Sequence, residues 1–137
     1  MKTPVSIPPL AGNVLGSTSH NFVIAEWADA GGLTNDERWI APLHLHRSDD
    51  EAWYVLEGRL HVRAGTEIKE VVAGSAVLVP RGTPHTYRNP GPAPARYLLI
   101  MTPRIYSLIQ AIHSLNDRSL PALRDVFAQH DAELMEG

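Results

Sequence analysis

Glycine, proline and asparagine recur so closely between residues 58 and 95 that no helix can run through this part of the chain. Gly58, Gly74, Pro80, Gly82 and Asn89 separate short apolar segments, the pattern of strands joined by tight turns. The strands between them are Arg59–Arg63, Glu67–Val72, Ala76–Pro80 and His85–Arg88. Glu57-Gly58 reads as a two-residue hairpin turn joining Ala52–Leu56 to Arg59–Arg63. Upstream, Phe22–Trp27 and Trp39–His46 are strand candidates, separated by a loop, Ala28–Glu37, with Gly31-Gly32 and Asn35-Asp36 as turn signals. Tyr97–Met101 closes the series as a continuous apolar strand. About eight evenly spaced strands predict a small sandwich or barrel, so the fold class is all-β with a short helical tail.

The period changes after Thr102. Thr102 as N-cap and Pro103 at the first helical position predict a helix. Its apolar residues Ile105, Leu108, Ile109, Ile112 and Leu115 share one face. Asn116-Asp117 breaks it, and Ser119 caps a second helix carrying Leu120, Leu123, Val126 and Phe127. Tyr97–Met101 is apolar on both faces, so the helical tail is expected to cover its outer one, a duty a second subunit would fill equally well. At the other end, Pro4, Pro8 and Pro9 favour an extended arm. The expected organisation is an arm over residues 1–20, a barrel over 21–102 and two C-terminal helices over 103–137.

Composition narrows function by exclusion. With no cysteine, thiol catalysis, disulfides and Cys-ligated zinc are ruled out. A net charge of −3 leaves no electrostatic footprint for nucleic acid or an anionic membrane. The N-terminus lacks the apolar run of a secretory signal and no stretch is long enough to span a bilayer, so a cytoplasmic protein is expected.

The chemically capable side chains cluster in Pro42–Asn89. His44 and His46 are two apart, so on a strand both rings point to one side. Glu51 follows a polar break, Arg47–Asp50, that lets the chain turn back. His85 must come from a neighbouring strand, set by the rigid Pro80–Pro84 turn. Together they are plausible ligands of one metal. Tyr87 shares the parity of His85 and is expected either to face the cavity, as a substrate contact or proton donor, or to fill the barrel interior with its hydroxyl satisfied. Trp53 is expected in the core, Asp49 and Asp50 as solvated loop charges or as hydrogen-bond partners that orient a ligand histidine, and His20, His61, His113 and His130 at the surface or in loops.

These residues resemble the two sequence motifs of the cupin superfamily. His44-x-His46, Glu51 and Gly58 follow the first; Gly74, Pro80-x-Gly82, His85 and Asn89 follow the second at every defining position. Two positions outside the ligand set depart from the pattern, Arg38 and Ser75. The resemblance implies a double-stranded β-helix (jelly-roll) barrel with the site in its mouth. It also implies one divalent transition metal (Fe, Mn, Ni, Cu, Co or Zn) held by His44, His46, Glu51 and His85, and a homodimer. The helices after the barrel are similar to those of quercetin dioxygenase-like cupins. The expected activity is therefore a metal-dependent dioxygenase acting on a small oxygenated organic molecule, with Glu51 and Tyr87 as catalytic residues. The same ligands would serve an isomerase, epimerase or decarboxylase, and a non-catalytic small-molecule binder is the third reading.

Overall fold

Why the chain doubles back into two layers is visible in its burial pattern. A computed structural model describes residues 3–7, 10, 12–31 and 38–135. Strands β1 (Val14–Leu15), β2 (Val23–Asp29), β4 (Glu51–Glu57), β7 (Ala76–Val79) and β9 (Ala95–Met101) form one antiparallel sheet in the order β1-β2-β9-β4-β7. Strands β3 (His44–His46), β5 (Arg59–Ala64), β6 (Glu67–Val72), β8 (His85–Arg88) and β10 (Ala132–Leu134) form a second, in the order β10-β3-β8-β5-β6. Alternate residues turn inward from each layer: Trp53 and Val55 from β4, Leu60 and Val62 from β5, Tyr97 and Leu99 from β9, all buried. Each fully buried apolar side chain of this kind contributes about 1.5–3 kcal/mol.

Several expectations are corrected here. Glu57-Gly58 does not make a hairpin, because β4 pairs with β7 and β9 while β5 pairs with β6 and β8. It is a corner carrying the chain from one sheet to the other. Gly58 has φ +74°, and a Cβ there would strike the Pro94 carbonyl oxygen, so glycine is required. The strand expected over Trp39–His46 is confined to His44–His46. Val14–Leu15, within the stretch read as an arm, pairs with Ala25 and Ile24. The turns at Gly32 and Asn35-Asp36, and Pro8 and Pro9 of the arm, lie outside the described residues.

Both helices form where capping chemistry places them. In α1 (Pro103–His113) the Thr102 side chain accepts from the Ile105 N–H at 3.2 Å. In α2 (Leu120–Gln129) Ser119 accepts from the Ala122 N–H at 3.4 Å. Their position differs from expectation. Ile105 packs into the barrel core, and Leu108 packs with Val126, Phe127, Ala132 and Leu134. The helices thus close the open end of the barrel rather than cover the outer face of β9, where Phe22 and Leu78 remain exposed. After α2, Asp131 at φ 56° turns the chain into β10, a strand the sequence did not signal. No helix among the described residues is long and apolar enough to cross a membrane.

Candidate metal centre

Strand pairing brings the distant histidine home. β3 and β8 are antiparallel with His44 directly opposite His85, and their ring centroids are 4.4 Å apart. His46, two residues along β3, projects to the same side, its ring 4.9 Å from His44 and 5.2 Å from His85. Glu51, the first residue of β4, reaches in from the opposite sheet. Its Oε1 lies 2.9 Å from His85 Nε2 and 3.3 Å from His46 Nε2. One potential ligand atom from each of the four residues falls within 4.8 Å of the others, so they could hold a metal ion.

Backbone contacts decide which nitrogens face inward. A carbonyl oxygen only accepts, so His44 Nδ1–H donates to Pro42 O at 2.6 Å and His85 Nδ1–H to Thr83 O at 2.9 Å. In the neutral rings the protons are thereby fixed on Nδ1, and the Nε2 lone pairs are left for the interior. This is the outer hydrogen bond that orients metal-ligating histidines. His85 Nε2 then confronts the Glu51 carboxylate, acceptor against acceptor. His46 has neither ring nitrogen in a hydrogen bond although both are buried. A proton on His85 would relieve one contact; a cation shared by the three rings and Glu51 relieves them all. The donor set of three imidazoles and one carboxylate suits a divalent first-row metal.

The electrostatics agree with this arrangement. Burial, then the neighbouring His85, lowers the His44 pKa to about 4, outweighing the hydrogen bond to Pro42. For Glu51 burial pushes upward, but the contacts and charge of His46 and His85 prevail and hold it at about 2. Neutral imidazole and ionised carboxylate are the forms that coordinate.

The four residues form part of the lining of a cavity of about 510 Å³. Trp53 and Tyr87 stand beside them, the Trp53 ring 5.9 Å from His85 and 5.4 Å from Tyr87. The Tyr87 hydroxyl is 2.9 Å from that of Tyr97, so Tyr87 both faces the cavity and has its hydroxyl satisfied. Burial raises both phenols, Tyr97 to about 12 and Tyr87 well above its ordinary value, so the pair keeps its protons. One O–H joins the two rings; the other is left to donate. Tyr97 is hidden in an apolar run, and only its inward parity with Leu99 could have revealed it.

Other assignments change. Asp49 is buried, not solvated: Arg104 of α1 pairs with it at 2.8 Å, tying the β3–β4 loop to the helices. Asp50 pairs with Arg81 at 2.9 Å. Neither orients a ligand histidine. His113 lines the cavity despite its exposure, whereas His20 bonds Ser17, His61 lies near Glu70 and His130 bonds the Val126 carbonyl. The wall supplied by α1 and α2 also escapes the sequence, because helical periodicity shows which face is apolar and not what it faces.

Residues 36–101 match the family model described as Cupin domain. An uncharacterised protein of Methanocaldococcus jannaschii is 36% identical over 61 residues, 44% of this chain and 49% of that protein. Quercetin 2,3-dioxygenase of Bacillus subtilis is 38% identical over 47 residues, 34% of this chain and 14% of that enzyme. Each match thus spans less than half of the relative. Among solved structures, TT1209 from Thermus thermophilus is 30% identical with a TM-score of 0.51, over 61% of this chain and 73% of that one. A sugar phosphate isomerase of the cupin superfamily from Silicibacter pomeroyi is 25% identical with a TM-score of 0.51, over 61% of this chain and 51% of that one.

Proposed function

We propose, from the premise that this chain belongs to the cupin superfamily, that it is a metal-dependent, dioxygenase-like enzyme for a small and mainly apolar molecule bearing an enol or keto oxygen. The observation that carries this reading is the convergence of histidine lone pairs and one ionised carboxylate at the wall of a closed-over cavity. A divalent ion held by His44, His46, Glu51 and His85 would supply Lewis acidity towards a substrate oxygen and a binding place for dioxygen.

The chain's own groups account for the remaining steps. Glu51, ionised at neutral pH, would take the proton lost from the substrate on a carboxylate oxygen not used as a metal ligand. The Tyr87–Tyr97 pair stays protonated and donates its free O–H to a substrate oxygen. Phe127, its ring 5.3 Å from His44, and Leu108 keep water from the reacting end. The apolar wall favours this reading over sugar isomerisation, since it offers few partners to a row of hydroxyl groups.

Two measurements test the reading. Tag-free protein should carry a first-row metal, and less than about a tenth of an equivalent per chain would sink it. Oxygen uptake should follow addition of flavonols or 1,3-diketones. Product formed under strict anaerobiosis would instead identify an isomerase or decarboxylase.

A further inference from the structure

The cavity is longer than the metal centre requires, and its far end has chemistry of its own. Along α1, Ile105, Leu108, Ile109, Ile112 and His113 line it, positions that share one helical face. With a rise of about 1.5 Å per residue, that face extends roughly 12 Å from Ile105 to His113. Ile105 is buried at one end; His113 and Arg118 are exposed at the other, where the cavity meets solvent. Leu123 and Phe127 of α2 complete this wall. Between its two ends it presents only hydrocarbon, so the body of a bound molecule must be apolar.

At the solvent end Arg118 is held in place without being neutralised. Its Nη2 donates to the Ile112 carbonyl at 3.0 Å, which seats the guanidinium against the last turn of α1. Arg47, Arg59, Arg81, Arg96 and Arg104 each pair with a carboxylate. Arg118 has no acidic partner among the described residues. Among the described residues, the two carboxylates of the lining are otherwise engaged: Glu51 with His85, and Asp29 with the Gly31 N–H and the Asn89 amide. A planar, permanently charged donor at the mouth of an apolar cavity is suited to a carboxylate.

We propose that Arg118 forms an acid-binding subsite, so that the cavity takes an amphipathic acid: an aryl or branched alkyl body with its carboxylate remote from the histidines. This deepens the reading of the cavity as a substrate site but does not depend on the metal or on oxygen chemistry.

The test is calorimetric titration of the full chain, as purified and again after chelator treatment. The probes are 3-(4-hydroxyphenyl)propanoate, its homologues one methylene shorter and longer, and the uncharged 3-(4-hydroxyphenyl)propan-1-ol. The best acid should bind about tenfold more tightly than the alcohol. R118Q should remove that preference while leaving alcohol affinity unchanged, R118K should retain part of it, and I112W should weaken every probe by filling the cavity. Equal affinity for acid and alcohol, a preference undiminished in R118Q, or no binding by any of the three acids would overturn the proposal. An unaltered acid preference in protein that holds no metal and consumes no oxygen would sustain the subsite while the dioxygenase reading fell.

Discussion

The two sides of the cavity are built on different principles. The histidine side comes from β3, β8 and the start of β4, where strand register places each atom and backbone carbonyls fix the rings of His44 and His85. The helical side comes from α1 and α2, beyond residues 36–101, and packs through interchangeable hydrocarbon. A one-residue slip on the strand side would turn a histidine of the cluster away from the cavity. On the helix side a volume-conserving swap changes little. On the reading proposed above, reaction chemistry and substrate choice would reside in separable parts of the molecule.

That separation can be broken from either side. His46→Ala should cost the most in function, lowering metal affinity by well over the ~10–100-fold that loss of an outer hydrogen bond costs; metal analysis after dialysis would show it. Phe127→Ala should cost about 3–5 kcal/mol of stability, read by denaturant unfolding, while the folded fraction still binds metal. If metal retention fell in parallel with helix packing, the two sides would not be separable.

Acidification acts on the histidine side through His44 and Glu51. The His44 pKa is lowered from 6.5 to about 4, so between those values the unfolded chain binds the extra proton. Metal-free protein should hold this stability above pH 6.5 and lose it as pH falls towards 4, with a slope of up to about 1.4 kcal/mol per pH unit. Glu51, lowered from 4.5 to about 2, adds a further loss below 4.5. His44→Gln should flatten the upper segment of the unfolding-versus-pH curve, and an unchanged slope would refute the assignment.

Smaller effects sharpen the boundary between the two sides. Arg104→Ala leaves the buried Asp49 carboxylate without its guanidinium and should cost about 1–2 kcal/mol by thermal unfolding. Tyr97→Phe removes one hydroxyl of the pair and should cost about 1 kcal/mol with metal content unchanged. A loss of metal in Tyr97→Phe would instead place that pair within the ligand-orienting machinery.

The same division explains what could be read from the chain. The barrel and the cluster of His44, His46, Glu51 and His85 were legible because the spacing of such residues is dictated by strand period and turn chemistry, which are local. Tyr87 was legible by parity with His85. The corner at Gly58 was not, because a two-residue turn looks alike whether it joins strands of one sheet or carries the chain to the other. Nor was the burial of Asp49, whose partner Arg104 lies 55 residues away. β10 escaped because Ala132–Leu134 is too short to show alternation, and its partner β3 is remote.

That last strand has a consequence for how the protein is made. Ala132 pairs with His46 and Leu134 with His44, so the outer edge of the strand that carries these two histidines is completed only by residues some ninety positions later. During synthesis β3 must wait, its edge unpaired, until β10 has left the ribosome. The strand that carries His44 and His46 is translated before most of the barrel, and its outer partner β10 is the last strand to follow. A chain cut before residue 132 would contain all four residues of the candidate metal centre and still lack the strand that braces β3.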